Sequence, residues 1–113
     1  MTGITTHVLD TAQGIPAKGV MVRLEFGLPD GAWRLIGHGE TDANGRIPTL
    51  SGDGPLERGT YRLTFETADY FAGRGLDSFF PHVTVEFNVR DPHVHQHVPL
   101  LISPHGYMTY RGS

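Results

Sequence analysis

Cysteine is absent from the 113 residues. That excludes disulfides, thiolate metal sites and cysteine nucleophiles, though it does not by itself set the redox compartment. Blocks of like charge are absent too: 9 basic and 12 acidic residues are interspersed, for a formal net charge of -3. Such a chain offers no electrostatic footing for nucleic acid or a membrane surface. No apolar run approaches the ~20 residues that a membrane-spanning helix needs. Met1-Thr2-Gly3-Ile4 lacks the basic and apolar regions of a secretory signal, and Arg111-Gly112-Ser113 is not the peroxisomal Ser-Lys-Leu address. The cytoplasm is therefore the expected location by elimination. No Gly-rich phosphate loop, Gly-x-Ser-x-Gly elbow or His-Glu-x-x-His motif occurs. Internal repeats, low-complexity tracts and linkers are also missing. A chain of this length without them is expected to be one domain, residues 1–113.

What is present is turn chemistry and alternation. Fifteen glycines and eight prolines punctuate the chain. Between them lie short segments of period two, the mark of half-buried strands. Ile4 to Leu9 reads as a strand with Ile4, Thr6 and Val8 on one face and Thr5, His7 and Leu9 on the other. Asp10 to Gly19 reads as a loop. Val20 to Phe26 turns Val20, Val22, Leu24 and Phe26 inward. Trp33 to Glu40 is a third strand, and Asp42-Ala43-Asn44-Gly45 is a turn that delivers Arg46 and a short extended piece, Ile47 to Leu50. Thr60 to Glu66, His82 to Arg90, Val94 to Ile102 and Tyr107 to Arg111 complete the strands. Thr67 is placed to N-cap the one expected helix, Ala68 to Ala72, closed by Gly73 or Gly75. Seven or eight short strands at this spacing predict an all-β sandwich. Its exposed edges favour pairing between copies. Asp10, Asp30, Asp42 and Asp53 stand in turns, where aspartate satisfies local backbone amides.

The residues that can carry chemistry cluster toward the end. Three of the seven histidines alternate at His93, His95 and His97. Residues two apart in a strand share a face, so these line one side with Pro99 and Leu101. Three imidazoles on one strand face could bind zinc, whereas the plain reading leaves His93 and His95 as solvated rim or surface positions near a loop. However, same-face neighbours in a flat strand stand ~7 Å apart, and three of them do not converge on one ion without a bulge or a ligand from elsewhere. His7 is a lone strand histidine whose interest depends on whether it meets His97; a neutral imidazole serves as a base near pH 7. Arg46 follows a turn, where an exposed charge is the ordinary reading. A guanidinium is also the natural clamp for a planar anion. Ser113, as last residue, carries both a hydroxyl and the α-carboxylate. Pro99 cannot donate to a ladder and suits an edge or a bulge.

Taken together and in order, several stretches resemble the 5-hydroxyisourate hydrolases, the enzymatic branch of the transthyretin family. They are Thr5-Thr6-His7-Val8-Leu9-Asp10, Gly14 to Pro16, Phe79-Phe80-Pro81, His97-Val98-Pro99-Leu100-Leu101, Ser103-Pro104 and the terminal Tyr110-Arg111-Gly112-Ser113. The resemblance spans essentially the whole chain, and the terminal tetrapeptide is its most specific mark. With His7, Arg46 and His97 it separates the hydrolases from the hormone carriers of the same fold. The resemblance implies a transthyretin-like β-sandwich of two four-stranded sheets with one short helix. It implies a homotetramer, a dimer of dimers, with sites in the channel where two dimers meet, and no metal or organic cofactor. The implied reaction is hydrolytic opening of 5-hydroxyisourate to the ureidoimidazoline acid. In it His97, with His7, activates water, Arg46 holds the anionic ring, Tyr110 and Ser113 position substrate or water, and Arg111 helps hold the terminus.

Four residues depart from the family's usual pattern. Gln96 replaces an aromatic but faces away from His97. His105 replaces an aromatic in the Ser-Pro turn, Met108 replaces a serine at the pocket wall, and His93 is an additional histidine. Two other functions compete with hydrolysis: a carrier binding a small aromatic ligand in the same channel, and a histidine-dependent metal protein.

Overall fold

The computed structural model describes residues 3–52 and 54–113, so the turn reading of Asp53 lies outside the described residues. Among the described residues there are eight strands, β1 (Ile4–Asp10), β2 (Ile15–Pro16), β3 (Met21–Gly27), β4 (Trp33–Glu40), β5 (Gly59–Phe65), β6 (Val83–Val89), β7 (Gln96–Ser103) and β8 (Gly106–Thr109), with one helix, α1 (Thr67–Ala72). They form two four-stranded sheets, ordered β2-β1-β7-β8 and β4-β3-β5-β6. This is the two-sheet, one-helix sandwich expected. Its core holds Val8, Val22, Leu24, Leu63, Phe65, Phe71, Leu100 and Ile102, all essentially inaccessible to solvent. Alternation explains the strands: in β1 Ile4, Thr6 and Val8 are buried while Thr5, His7 and Leu9 stay half-buried.

The second sheet is antiparallel throughout. The first contains one parallel pair, β1 with β7. Parallel neighbours need a long crossover; here the entire second sheet and α1 lie between them in sequence. That crossover sets two distant segments side by side, and the site depends on it.

Several local expectations change. The Asp10 to Gly19 loop contains β2, which pairs Pro16 with Leu9 and Ile15 with Asp10 at the sheet edge. The piece from Ile47 to Leu50 is not extended but turns, and Ile47 and Leu50 are buried in the core. They fit because β4 has no side chain there. A Cβ at Gly37 would stand 2.0 Å from the Leu50 carbonyl oxygen, and one at Gly39 would stand 2.9 Å from Ile47. Thr67 is the first helical residue rather than the cap. Glu66 holds the cap position without a side-chain bond, and the buried Thr67 hydroxyl has no hydrogen-bond partner among the described residues. Gly75 closes the helix at φ 74°, and the Leu76 amide donates to the Phe71 carbonyl. Pro99 lies in β7, an interior strand, not at an edge. The ladder to β8 runs from Ser103 only to Leu100, so the missing N–H falls where that pairing has lapsed.

The turn aspartates act on local amides as expected. Asp30 accepts from the Ala32 amide at 2.9 Å, and Asp42 from the Asn44 amide at 2.8 Å. Asp10 does more: it accepts from the Gln13 amide and, buried, from the Tyr70 hydroxyl at 2.8 Å. Burial, and then the Asp10 carboxylate, push the Tyr70 phenol up to about 12.

Candidate active site

The parallel register sets Thr5 opposite His97 and His7 opposite Pro99. Both strands turn their apolar residues inward: Val98, Leu100 and Ile102 are buried beside Val8, and the buried Thr6 hydroxyl donates to the Val98 carbonyl at 2.6 Å. Thr5, His7 and His97 therefore share the outer face of the first sheet. A one-residue slip would send the imidazoles into the core and the valines out.

Arg46 reaches this face through a turn. The Asp42 carboxylate accepts from the Asn44 and Arg46 amides, and the Gly45 amide donates to the Asp42 carbonyl at 2.9 Å. Gly45 has φ 76°, and a Cβ there would meet the Val8 carbonyl oxygen at 2.3 Å, so only glycine fits. The turn is then stitched to β1: the Val8 amide donates to the Gly45 carbonyl at 2.8 Å, and His7 and Arg46 are bridge partners. Buried Ile47 anchors the far side of Arg46. Among the described residues, the ion pairs are Arg23–Glu66, Arg34–Glu57 and Arg62–Glu25, and none uses Arg46.

The terminus approaches from the other side. Past Thr109 it keeps the β8 register, so Gly112 comes opposite His97 and its amide donates to the His97 carbonyl at 2.8 Å. A Cβ on Gly112 would lie 2.5 Å from Cδ2 of the His97 ring and 3.2 Å from Pro99 Cγ. The glycine thus lets the terminus lie against the imidazole. The link is through backbone at Gly112, while Tyr110 and Ser113 are exposed on either side of it. A cavity of about 380 Å³ opens between β6, the start of β7 and the terminus. His97 and Tyr110 line it; His7 and Arg46 do not. It is a neighbour of the candidate site, not the site itself.

Partial burial, then the charges of Arg46, His95 and His7, hold the His97 imidazole below the usual histidine range. This favours the neutral ring, which is able to accept a proton. The Thr5 hydroxyl bonds His97 Nδ1 at 2.8 Å and also His95 Nε2 at 2.8 Å. His95, read from sequence as a rim position, is thus half-buried and connected to His97. Alternation already put it on the His97 face, but nothing in the sequence pointed to the hydroxyl between them. His93 is exposed, with its amide bonded to Asp91. The His95 and His97 ring centroids lie 6.3 Å apart. Among the described residues no three histidine or carboxylate groups are set to hold a metal ion.

Among the departures, Gln96 is buried, with its side-chain amide on the Val94 carbonyl, so it faces away from His97. His105 is exposed in the turn between β7 and β8. Met108 pairs with Leu101, on the His97 face, and is 56% exposed.

A family model described as the HIUase/Transthyretin family matches residues 4–112. A probable 5-hydroxyisourate hydrolase of Caenorhabditis elegans is 46% identical over 110 residues, covering 97% of this chain and 80% of the relative. The 5-hydroxyisourate hydrolase of Mus musculus is 44% identical over 111 residues, covering 97% and 94%. Among solved structures, the 5-hydroxyisourate hydrolase of Klebsiella pneumoniae is 41% identical with a TM-score of 0.84, covering 97% of this chain and 98% of that one. The transthyretin of Sparus aurata is 31% identical with a TM-score of 0.93, covering 99% and 97%. The backbone superposes well on both kinds of protein, so the path of the chain does not discriminate between them.

Proposed function

The chain belongs to the HIUase/Transthyretin family, and from that membership and its site we infer that it hydrolyses 5-hydroxyisourate, a step of urate degradation. The observation that carries the mechanism is the convergence on one sheet face of a proton-accepting His97, His7 and an Arg46 outside the ion pairs of the described residues.

In this reading Arg46 clamps the anionic purine ring through parallel charge-assisted hydrogen bonds. His97, with His7 beside it, takes a proton from water as the oxygen adds to a carbonyl carbon of the six-membered ring. The ring C–N bond then breaks, the nitrogen takes the proton, and the freed acyl group leaves as a carboxylate. His7 and Arg46 supply positive or donor groups for the developing oxyanion. Tyr110 and Ser113 position substrate or water from the terminus that Gly112 lays against His97, and Arg111 helps hold that terminus. The residues supply the whole of this chemistry without a cofactor. The proposal takes residues 1–113 as one hydrolase domain. It carries with it a homotetramer built as a dimer of dimers, which completes the sites between copies, and a cytoplasmic setting.

The test is the decay of freshly generated 5-hydroxyisourate followed by absorbance, with and without a chelator. Decay accelerated by the protein and indifferent to the chelator is expected. Decay no faster than the spontaneous rate would favour a carrier instead, and loss of activity to the chelator would favour a metal protein.

A further inference from the structure

We propose that Thr5 and His95 form a hydroxyl-bridged relay behind His97, which fixes the tautomer of its ring and holds its proton between water attack and C–N cleavage. The proposal rests on the reading of His97 as the base. Thr5 and His95 act through His97 and are positioning residues.

The argument starts from proton counting. The Thr5 hydroxyl lies 2.8 Å from His97 Nδ1 and 2.8 Å from His95 Nε2. A hydroxyl has one proton to donate and lone pairs to accept with. With the hydroxyl proton pointing elsewhere, both rings would donate to the oxygen and nothing could pass between them; with that proton used inside the pair, both bonds are made in two ways. In the first, His97 Nδ1–H donates to Thr5 and Thr5 donates to His95 Nε2. In the second, the direction is reversed throughout. A neutral imidazole carries a single N–H, so the first arrangement leaves His97 Nε2 bare and able to accept, whereas the second leaves Nε2 protonated and unable to act as a base. With the hydroxyl proton inside the pair, the tautomers of His95 and His97 are coupled through one oxygen, and only one of these two arrangements supports the reaction.

The placement of the three groups follows from the fold. Thr5 is opposite His97 in the parallel ladder, and His95 precedes His97 by two, on the same face. The Gln96 amide donates to the Gly3 carbonyl at 2.9 Å, which draws the segment carrying His95 against the start of β1. The groups whose charge acts on His97 are Arg46 from the turn after β4, His7 from β1 and His95 itself. Arg46 and His7 oppose a proton resting on His97, so a place to put that proton has value.

The relay balances. His97 Nε2 takes a proton from water as the C–O bond forms. The Nδ1 proton passes to Thr5 and the Thr5 proton to His95 Nε2, leaving His97 neutral and His95 as the imidazolium. When the ring C–N bond breaks, His97 Nε2–H protonates the departing nitrogen. The proton on His95 returns through Thr5 to His97 Nδ1, and the starting arrangement is restored. No oxidant, reductant or further reactant is required.

The experiment combines nitrogen NMR of the His97 ring in the intact protein with kinetics of Thr5→Val, Thr5→Ser, His95→Gln and His97→Ala. The wild-type ring is expected to carry its proton on Nδ1. Thr5→Val, which keeps the β-branched shape, is expected to lower kcat about ten-fold or more, with KM within about two-fold and the ring shifted to mixed tautomers. Thr5→Ser is expected to recover kcat relative to Thr5→Val, and His95→Gln to fall between them. A wild-type ring protonated on Nε2, or a folded Thr5→Val enzyme with unchanged kcat, overturns the relay. If His97→Ala is inactive while Thr5→Val is fully active, the relay alone falls. If His97→Ala keeps wild-type kcat, the reading of His97 as the base falls with it. The wild-type spectrum requires no variant to fold.

Discussion

The outer faces of the two sheets present opposite electrostatic solutions. On the sheet of β3 to β6, cations are matched within the chain. Arg62 bonds Glu25 at 2.8 Å and stacks over Trp33, Arg34 bonds Glu57 at 2.6 Å, and Arg23 approaches Glu66 at 3.3 Å. The hydrogen bond from Arg62, partly offset by burial, holds the Glu25 carboxyl below its ordinary range. On the sheet of β1, β2, β7 and β8, the outer face carries Thr5, His7, His97 and the adjoining Arg46, and the named ion pairs leave it untouched. A face that neutralises its own charges is surface. A face that gathers imidazoles and a guanidinium outside those ion pairs is set for an anion supplied from outside. The difference arises from register: Arg23 pairs with Thr64 and Glu25 with Arg62 across β3 and β5, whereas Thr5 pairs with His97 and His7 with Pro99 across β1 and β7.

Four substitutions would break or sharpen this contrast. The largest effect is expected from His97→Ala, which removes the base and should lower kcat/KM by roughly 10²–10⁴-fold. The sandwich should stay folded by circular dichroism. Gly112→Ala comes next. Its Cβ would fall 2.5 Å from the His97 ring, so either the imidazole or the terminus must move. Kinetics should show most of the loss in kcat with little change in melting temperature, and deletion of residues 110–113 should reproduce that pattern. Arg46→Gln should raise KM and lower kcat/KM by roughly ten- to hundred-fold, the worth of a charge-assisted pair of ~1.5–3 kcal/mol. It should also shift the pH profile. Arg46 disfavours protonation of His97, after the larger effect of burial; removing it makes the imidazolium easier to form, so the acid limb of kcat/KM must move to higher pH. A limb that stays still or moves down would contradict the assignment of His97. The smallest effect is reserved for the other sheet. Arg62→Gln should leave kcat/KM unchanged and cost at most about 1 kcal/mol of stability by denaturant titration. A marked loss of activity there would undo the distinction between the two faces.

Much of this was legible in order along the chain. The facing of β1 and β7 follows from alternation, and so does the separation of His97 from Gln96. The Asn-Gly turn before Arg46 was visible as a turn. Its necessity was not, because the contact that demands glycine at position 45 is with Val8, far away in sequence. The same holds for β2, whose two residues have no pattern of their own and exist as a strand only because β1 has a free edge. Ile47 to Leu50 turns rather than extends because its two apolar ends enter the core, in space cleared by Gly37 and Gly39 on another strand. Thr67 suits a cap by type, yet the chain enters α1 one residue earlier.

The amino-acid order alone determined which side chains share a face, where the turns fall and that the terminus ends in a motif of chemical interest. These are local matters, dictated by the two-residue repeat of a strand and by the backbone freedom of a few residue types. The tertiary structure alone decided that a strand from the start of the chain lies parallel to one near its end, in a register that puts Thr5 beside His97. Strand pairing is chosen by burial and hydrogen bonding summed over the whole sandwich, and no short stretch of sequence contains that sum. The same pairing turned His95 from a surface histidine into the far end of a chain of hydrogen bonds.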